Sequence, residues 1–397
     1  MSVAAPSNDQ RTGIRQAGAA AAGGGSPPFR FYDNRQKYLA FVNTCNEKSA
    51  VARRAAHELS YLKPTPPALR FFDAGMGDAT VLSRLMRSAH RAFPTVPVLV
   101  VAKEISLEDV RLGLEKMPDR FYEHPATVLV ITNLNYAEAP RLMPRDVQSA
   151  AALNWQEVRL TGNSAHEYAE QIDELEPTLS YGWQTKSSPK SGNPVYVRPS
   201  VLLIYREDHK FLLDAVIPKP GRIFEHYDLV IASQPWRARM GAAFKVQKVL
   251  APLARSLAPG GRLLAIQSYG HDPGLEIIQQ LWPDERPFQV DRHELLATLR
   301  RELGRDARDF SLASPPDDKA VFRYDMHTLP SEIGDRIGTS TLFAAWNAAI
   351  YVNQIEDERL DEVVPSGAYL AATQTVLQKH GGLWFNDEAF VVARRRA

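Results

Sequence analysis

The stretch Phe71–Leu85, FFDAGMGDATVLSRL, runs from a strand into a helix through a turn built on Asp73, Gly75 and Gly77. Ala68–Phe72 is an apolar run that reads as a strand, and Thr80–Phe93 carries apolar residues at helical spacing. A change of direction does not need two glycines. Glycine admits positive φ and lets backbone approach a ligand, and the helix that follows presents free N–H groups. In a doubly wound sheet, ligands settle at the carboxyl ends of strands where the strand order reverses, so this turn stands where a cradle would be. A tight turn without a ligand is the bland alternative.

The alternation extends outward from this point. Val96–Glu104 and Ala126–Asn133 read as strands, with a helix over Leu107–Tyr122 between them. Continuous apolar strands separated by single helices predict a mostly parallel sheet covered on both faces. The pattern breaks over 139–222, read as an insertion in which Val201–Tyr205 is a strand and Phe211–Ile217 its hairpin partner. It resumes at Tyr227–Trp236, followed by a helix over Ala243–Leu257, a stop at Pro259–Gly261 and a strand to Gly270. Further on, His293–Leu303 and Leu342–Ile355 read as helices, Val321–His327 as a strand and Leu383–Arg395 as a closing strand. Upstream, Tyr38, Phe41, Val42, Val51, Ala55 and Leu59 predict one helix or two short ones, stopped by Lys63–Pro67. The expected organisation is therefore a disordered tail (1–28), an N-terminal helical lid (29–66), two halves of a core (67–138 and 223–282) around a substrate-side insertion (139–222), and a C-terminal elaboration (283–397).

Composition bounds the function. The chain has 397 residues, 44% apolar, with a formal net charge of +1 and one cysteine, Cys45. Near-neutral charge gives no electrostatic case for nucleic acid or an anionic membrane. One cysteine excludes an intrachain disulfide and a cysteine zinc cluster, and no H-E-x-x-H or G-x-S-x-G pattern is present. No window approaches the roughly 18 uninterrupted apolar residues of a membrane span, and a cytoplasmic location is expected. Arg11 and Arg15 in the tail leave an organelle-targeting segment as the other reading.

The residue types at the strand tips select the cofactor. A dinucleotide fingerprint wants glycine where Thr80 stands. Asp73 would repel a pyrophosphate but suits a ligand with a positively charged group, and Glu104 at the next strand end is placed for ribose hydroxyls. Asp73–Ala79, DAGMGDA, resembles the first motif of class I S-adenosylmethionine-dependent methyltransferases, with Ala79 in the place of the third glycine. LAPGGRLLAIQ (Leu257–Gln267) is similar to that family's fifth-strand signature, and YDLVIASQPW matches its fourth strand. The resemblance covers roughly 68–138 and 223–270. It implies a Rossmann-like seven-stranded α/β core, S-adenosyl-L-methionine as cofactor, Asp73, Gly75, Gly77 and Ser233 in the cofactor site, Glu104 on the ribose, and Asn133 near the adenine amine.

Ser233-Gln234-Pro235-Trp236 resembles the tetrapeptide of methyltransferases that act on planar nitrogens, with Gln234 replacing the first proline. A hydrogen-bond acceptor there, Gln234 or the Ser233 carbonyl, would hold an N–H, and the Trp236 face would attract a developing cation. A strand-ending turn with a packing tryptophan is the bland reading. FVNTCNEK (Phe41–Lys48) is similar to a segment of histamine N-methyltransferase, which implies that Glu47 binds an amine or the cofactor end; a surface acid paired with Lys48 or Arg53 is the bland reading. Phe31, Tyr38 and Asn43 are lid candidates. Tyr269 and His271 follow the fifth strand as substrate-binding candidates, His271 as a general base. Trp183, Asn193, Tyr196, Trp346 and Asn347 are further candidates for an acceptor pocket. The expected reaction is methyl transfer to a small or medium acceptor, at nitrogen, with a peptide side chain as the larger possibility. Three rivals stay open: a non-catalytic S-adenosylmethionine-binding scaffold or partner subunit, an aminopropyltransferase, and an NAD-dependent oxidoreductase.

Overall fold

The computed structural model describes residues 35–188, 194–222, 225–328, 330–334 and 336–396. The tail 1–28, Phe31 and Asn193 lie outside them. Twelve strands are found among the described residues: β1 Leu69–Asp73, β2 Val98–Lys103, β3 Thr127–Thr132, β4 Asn154–Leu160, β5 Thr185–Ser187, β6 Pro194–Tyr196, β7 Ser200–Arg206, β8 Tyr227–Ser233, β9 Leu257–Ser268, β10 Phe310–Ser311, β11 Val321–Asp325 and β12 Trp384–Arg394. Ten of them form one sheet in the order β10-β12-β9-β8-β1-β2-β3-β7-β4, with β11 also on β12, and β5 and β6 form a separate hairpin.

The pairs β1–β2, β2–β3, β1–β8 and β8–β9 are parallel, and β12 runs antiparallel to β9. The chain builds outward from β1 to β3 and then returns to β8 on the other side of β1. Strand order therefore reverses between β1 and β8, and a crevice opens at their carboxyl ends. Both faces are covered. Phe72, Val101 and Val130 pack on one side, and Phe71, Val100 and Leu129 on the other. Helix Thr80–Ala92 docks on the second face through Leu82, Leu85 and Met86, all fully buried. Each such side chain contributes about 1.5–3 kcal/mol of burial energy, which fixes the turn that precedes the helix.

Four expectations are corrected. The sheet has ten strands instead of seven, because the insertion is part of it: β7 adds antiparallel to β3 and β4 parallel to β7. β3 would otherwise be a bare edge, and β7, buried at every position, covers it. Phe211–Ile217 is not a hairpin partner, since a short helix, Lys210–Leu213, follows β7. The helix expected over Leu107–Tyr122 is two, Leu107–Leu114 and Pro118–Glu123, because Pro118 has no N–H to continue the first. Finally, Pro259–Gly261 does not stop a helix. It is the bulged start of β9, where a Cβ on Gly261 would come within 2.4 Å of the Tyr227 carbonyl.

Candidate functional site

A cavity of about 150 Å³ lies at the reversal point. Its floor is the glycine turn with Asp73, Gly75, Met76 and Gly77. One wall is Ser233 and Gln234 from the end of β8 with Ser268 from β9. The roof is Tyr38, Phe41, Glu47 and Lys48 from helices Arg35–Thr44 and Glu47–Ala56, with Tyr324, Tyr351 and Gln354. The roof is an aromatic cluster: the Phe41 and Tyr351 rings lie 4.9 Å apart, Tyr38 and Tyr351 5.9 Å, and Phe41 and Tyr324 6.1 Å. The expected lid thus supplies Tyr38 and Phe41, whereas Asn43 is exposed.

The turn is open toward the cavity. A Cβ added at Gly75 would meet nothing within 4 Å, and Gly77 has φ +50 with the Tyr38 hydroxyl 3.5 Å from where its Cβ would stand. Asp73 is 4% exposed and accepts from the Gly75 amide at 3.1 Å. Burial, with the nearby charge of Glu104, pushes its carboxyl up to about 7, against the pull of the Gly75 amide. Glu47 makes no hydrogen bond or ion pair among the described residues, and burial raises its carboxyl too. Lys48 is the single basic residue of the lining and is already held by Asp78 and by the Tyr38 hydroxyl at 2.7 Å. Three carboxyl groups, Asp73, Glu47 and Asp78, stand against one engaged ammonium, so acidic groups outnumber basic ones in the lining. Ring faces beside carboxylates attract a cation and repel a diphosphate.

The other expected site residues are placed differently. Glu104 does not line the cavity. Its carboxylate bounds the turn by accepting from the amides of Gly77 at 2.8 Å, Ile105 at 2.7 Å and Ser106 at 2.9 Å. Asn133 is 1% exposed and ties down the insertion: its amide donates to Gly182 and Arg198, both at 3.0 Å, and accepts from the Ser200 amide at 2.8 Å. Both N–H groups of its amide are thereby engaged within the fold. Trp236 is buried behind Gln234, where its indole donates to Gln267 at 2.9 Å and the Lys245 ammonium sits 5.6 Å from its ring. It lines a separate chamber of about 10 Å³. Tyr269 and His271 face an open groove of about 820 Å³ with Phe288 and Trp384, not the central cavity. Trp183 is core, its indole donating to the Glu104 carbonyl at 2.8 Å, and Trp346 stacks on Trp282. Asn347 holds the Lys37 carbonyl at 3.0 Å, and the Tyr196 hydroxyl lies 3.5 Å from Glu138.

Sequence reasoning missed Lys48, Tyr324, Tyr351, Gln354, Ser268 and the residue behind Gln234, Asp387. Only the last had a signal: Asp387 and Glu388 stand side by side in a closing strand that is apolar from Ala389 to Ala393. Asp387 is fully buried, and its Oδ1 accepts from the Gln234 amide at 3.1 Å.

No protein-family profile and no curated protein matches this chain. Among solved structures, it is similar to StiE O-MT residues 961-1257, at 11% identity and a TM-score of 0.34 over 88% of this chain and 74% of that one. It is also similar to the plantazolicin methyltransferase BpumL in complex with SAH, at 8% identity and 0.33 over 92% and 91%, and to geranyl diphosphate methyltransferase in complex with GPP and sinefungin, at 13% identity and 0.30 over 86% and 78%. Likeness this distant carries no functional argument, so the chemistry rests on the cavity.

Proposed function

We propose that this protein transfers a methyl group from S-adenosyl-L-methionine to a nitrogen of a small acceptor. The observation that carries this reading is the cavity itself. It is acidic, roofed by aromatic rings and floored by a glycine turn, at the carboxyl ends of β1 and β8. The residues present fit the cationic half of the cofactor. Asp73 and the backbone of Gly75 and Gly77 would hold it, with Glu104 released from the Gly77 amide to meet the ribose, and Ser233 beside them. Asn133 has no part in this arrangement. When bound, the cofactor supplies a methyl group on positively charged sulfur, electrophilic without a metal or an acid.

The rest falls to the chain's own side chains. Gln234 retains one N–H and one lone pair beyond its bonds to Asp387 and the Ser268 amide, enough to orient an acceptor amine. Glu47 is the carboxylate available to take an N–H or a proton from it. Tyr38, Phe41, Tyr324 and Tyr351 exclude water, so that positioning dominates the rate. Trp236 supports the Gln234 wall from behind. The negative charge at the turn disfavours a nicotinamide dinucleotide. The cofactor-binding scaffold without turnover remains the second reading, favoured by the seclusion of Trp236. Incubation with methyl-labelled donor and a metabolite extract separates the two. A labelled N-methyl product supports the enzyme, and donor binding without any labelled product supports the scaffold.

A further inference from the structure

The roof carries opposite charges side by side. Glu47 and Lys48 are consecutive residues at the start of helix Glu47–Ala56, and both line the cavity. Glu47 makes no hydrogen bond or ion pair among the described residues, so its carboxylate is open to a donor. The Lys48 ammonium has three N–H donors and spends two of them, on Asp78 Oδ1 at 2.5 Å and on the Tyr38 hydroxyl at 2.7 Å. The Tyr38 hydroxyl accepts that bond and keeps its own O–H to donate. It stands over the glycine turn, 3.5 Å from where a Cβ on Gly77 would be. Asp78 does not depend on Lys48 alone. Its carboxylate also accepts from the Thr80 amide at 3.1 Å and the Thr80 hydroxyl at 2.7 Å, and the Lys116 ammonium lies 3.6 Å away.

The roof therefore offers an open carboxylate next to an ammonium N–H and a phenolic O–H. A simple amine would use the carboxylate and leave the two donors unmet. An anion without an amine would use the donors and face the carboxylate. A group with an ammonium and a carboxylate on one carbon satisfies all three. We propose that Glu47, Lys48 and Tyr38 form a recognition site for an α-amino acid group, its ammonium on Glu47 and its carboxylate on Lys48 and Tyr38. The proposal rests on the methyl-donor reading and deepens it. The donor carries such a group at its methionyl end, and an amino acid serving as acceptor would carry one too. From either source, the site discriminates against a ligand that lacks the carboxylate. That includes the decarboxylated donor of an aminopropyltransferase.

Calorimetric titration of the full chain with two nucleosides tests the site and separates the sources. S-adenosylhomocysteine carries the amino acid group, and 5′-methylthioadenosine lacks it. If the group is the donor's, Lys48→Met and Glu47→Gln each weaken S-adenosylhomocysteine by about tenfold or more and leave 5′-methylthioadenosine within about twofold. If it is the acceptor's, both nucleosides bind the variants as they bind the wild type. Methyl-labelled donor then marks a mixture of amino acids in preference to a mixture of their decarboxylated amines, and Lys48→Met abolishes the preference. Asp78→Asn breaks the same ion pair but keeps the ammonium, and should leave either readout as in the wild type. An equal loss for the two nucleosides in Lys48→Met, the same loss in Asp78→Asn, or unchanged affinities without a labelling preference would overturn the proposal alone. No binding of S-adenosylhomocysteine to the wild type would overturn the methyl-donor reading together with it.

Discussion

Asp73 and Gly77 decide what the cavity can hold. Burial outweighs the one amide bond of Asp73 and pushes its carboxyl up to about 7, so a cation beside it would favour the ionised form. Its affinity for a cationic ligand rises with pH through that value. The dissociation constant of S-adenosyl-L-methionine should fall between pH 6 and pH 8 in calorimetry, and a flat profile would remove Asp73 from the site. Gly77 adopts φ +50, with the Tyr38 hydroxyl close by. Gly77→Ala should cost about 1 kcal/mol of folding stability, read by urea melts. The same variant should weaken donor binding by more than tenfold, because the methyl group enters the floor of the cavity. These residues were legible from sequence, since a carboxylate and two glycines at a strand tip are a local pattern. Gln234 was legible too, but its partner Asp387 is 153 positions away and met only through the sheet. Trp236 was legible as an aromatic at the mouth, but its neighbours Gln267 and Lys245, which draw it behind the wall, could not be read from its flanks.

At the scale of elements, two junctions make separate predictions. Asn133 pins the insertion to the tip of β3 through three hydrogen bonds. Asn133→Ala should destabilise the fold by about 1–3 kcal/mol, because the insertion's amide and carbonyls lose their partner. Donor affinity should change by less than about threefold, since under 1 kcal/mol is at stake. A large loss of affinity would return Asn133 to the cofactor site. The second junction joins helix Thr80–Ala92 to helix Pro118–Glu123 through His90 and His124, stacked 4.5 Å apart and both buried. Burial first, then the charges of His124 and Arg120, lower His90 to about 3, and burial also lowers His124, which His209 faces as well. Both rings are held neutral when folded, so their contribution is complete above the unfolded histidine value near 6.5 and is lost as the pH falls below it. Each depressed histidine should add a slope of up to about 1.4 kcal/mol per pH unit below 6.5. Denaturant melts from pH 7 to pH 4.5 should show that slope, and His90→Leu should flatten it.

At the scale of the whole molecule, the alternation of strands and helices around the glycine turn was readable because the central strands are apolar throughout and the intervening helices are single. The ten-strand width was not. A strand such as β7 reads the same whether it forms its own hairpin or covers β3, and that choice is settled by which edge it meets. The aromatic roof was half readable. Tyr38 and Phe41 lie in the predicted lid, but Tyr324 and Tyr351 come from distant elements that the fold brings over β1 and β8. A ligand that binds only the folded chain raises its stability, by about 2.7 kcal/mol at a hundred times its dissociation constant. S-adenosylhomocysteine at that excess should raise the melting temperature by several degrees, and NAD should leave it unchanged. The central claim is that the acidic cavity at the β1–β8 reversal holds a sulfonium nucleoside through Asp73. Calorimetric titration of S-adenosyl-L-methionine into the wild-type chain and into Asp73→Ala tests it most directly. The account predicts one saturable site in the wild type and no measurable binding in the variant, and equal affinity in the two, or no binding in either, would contradict it.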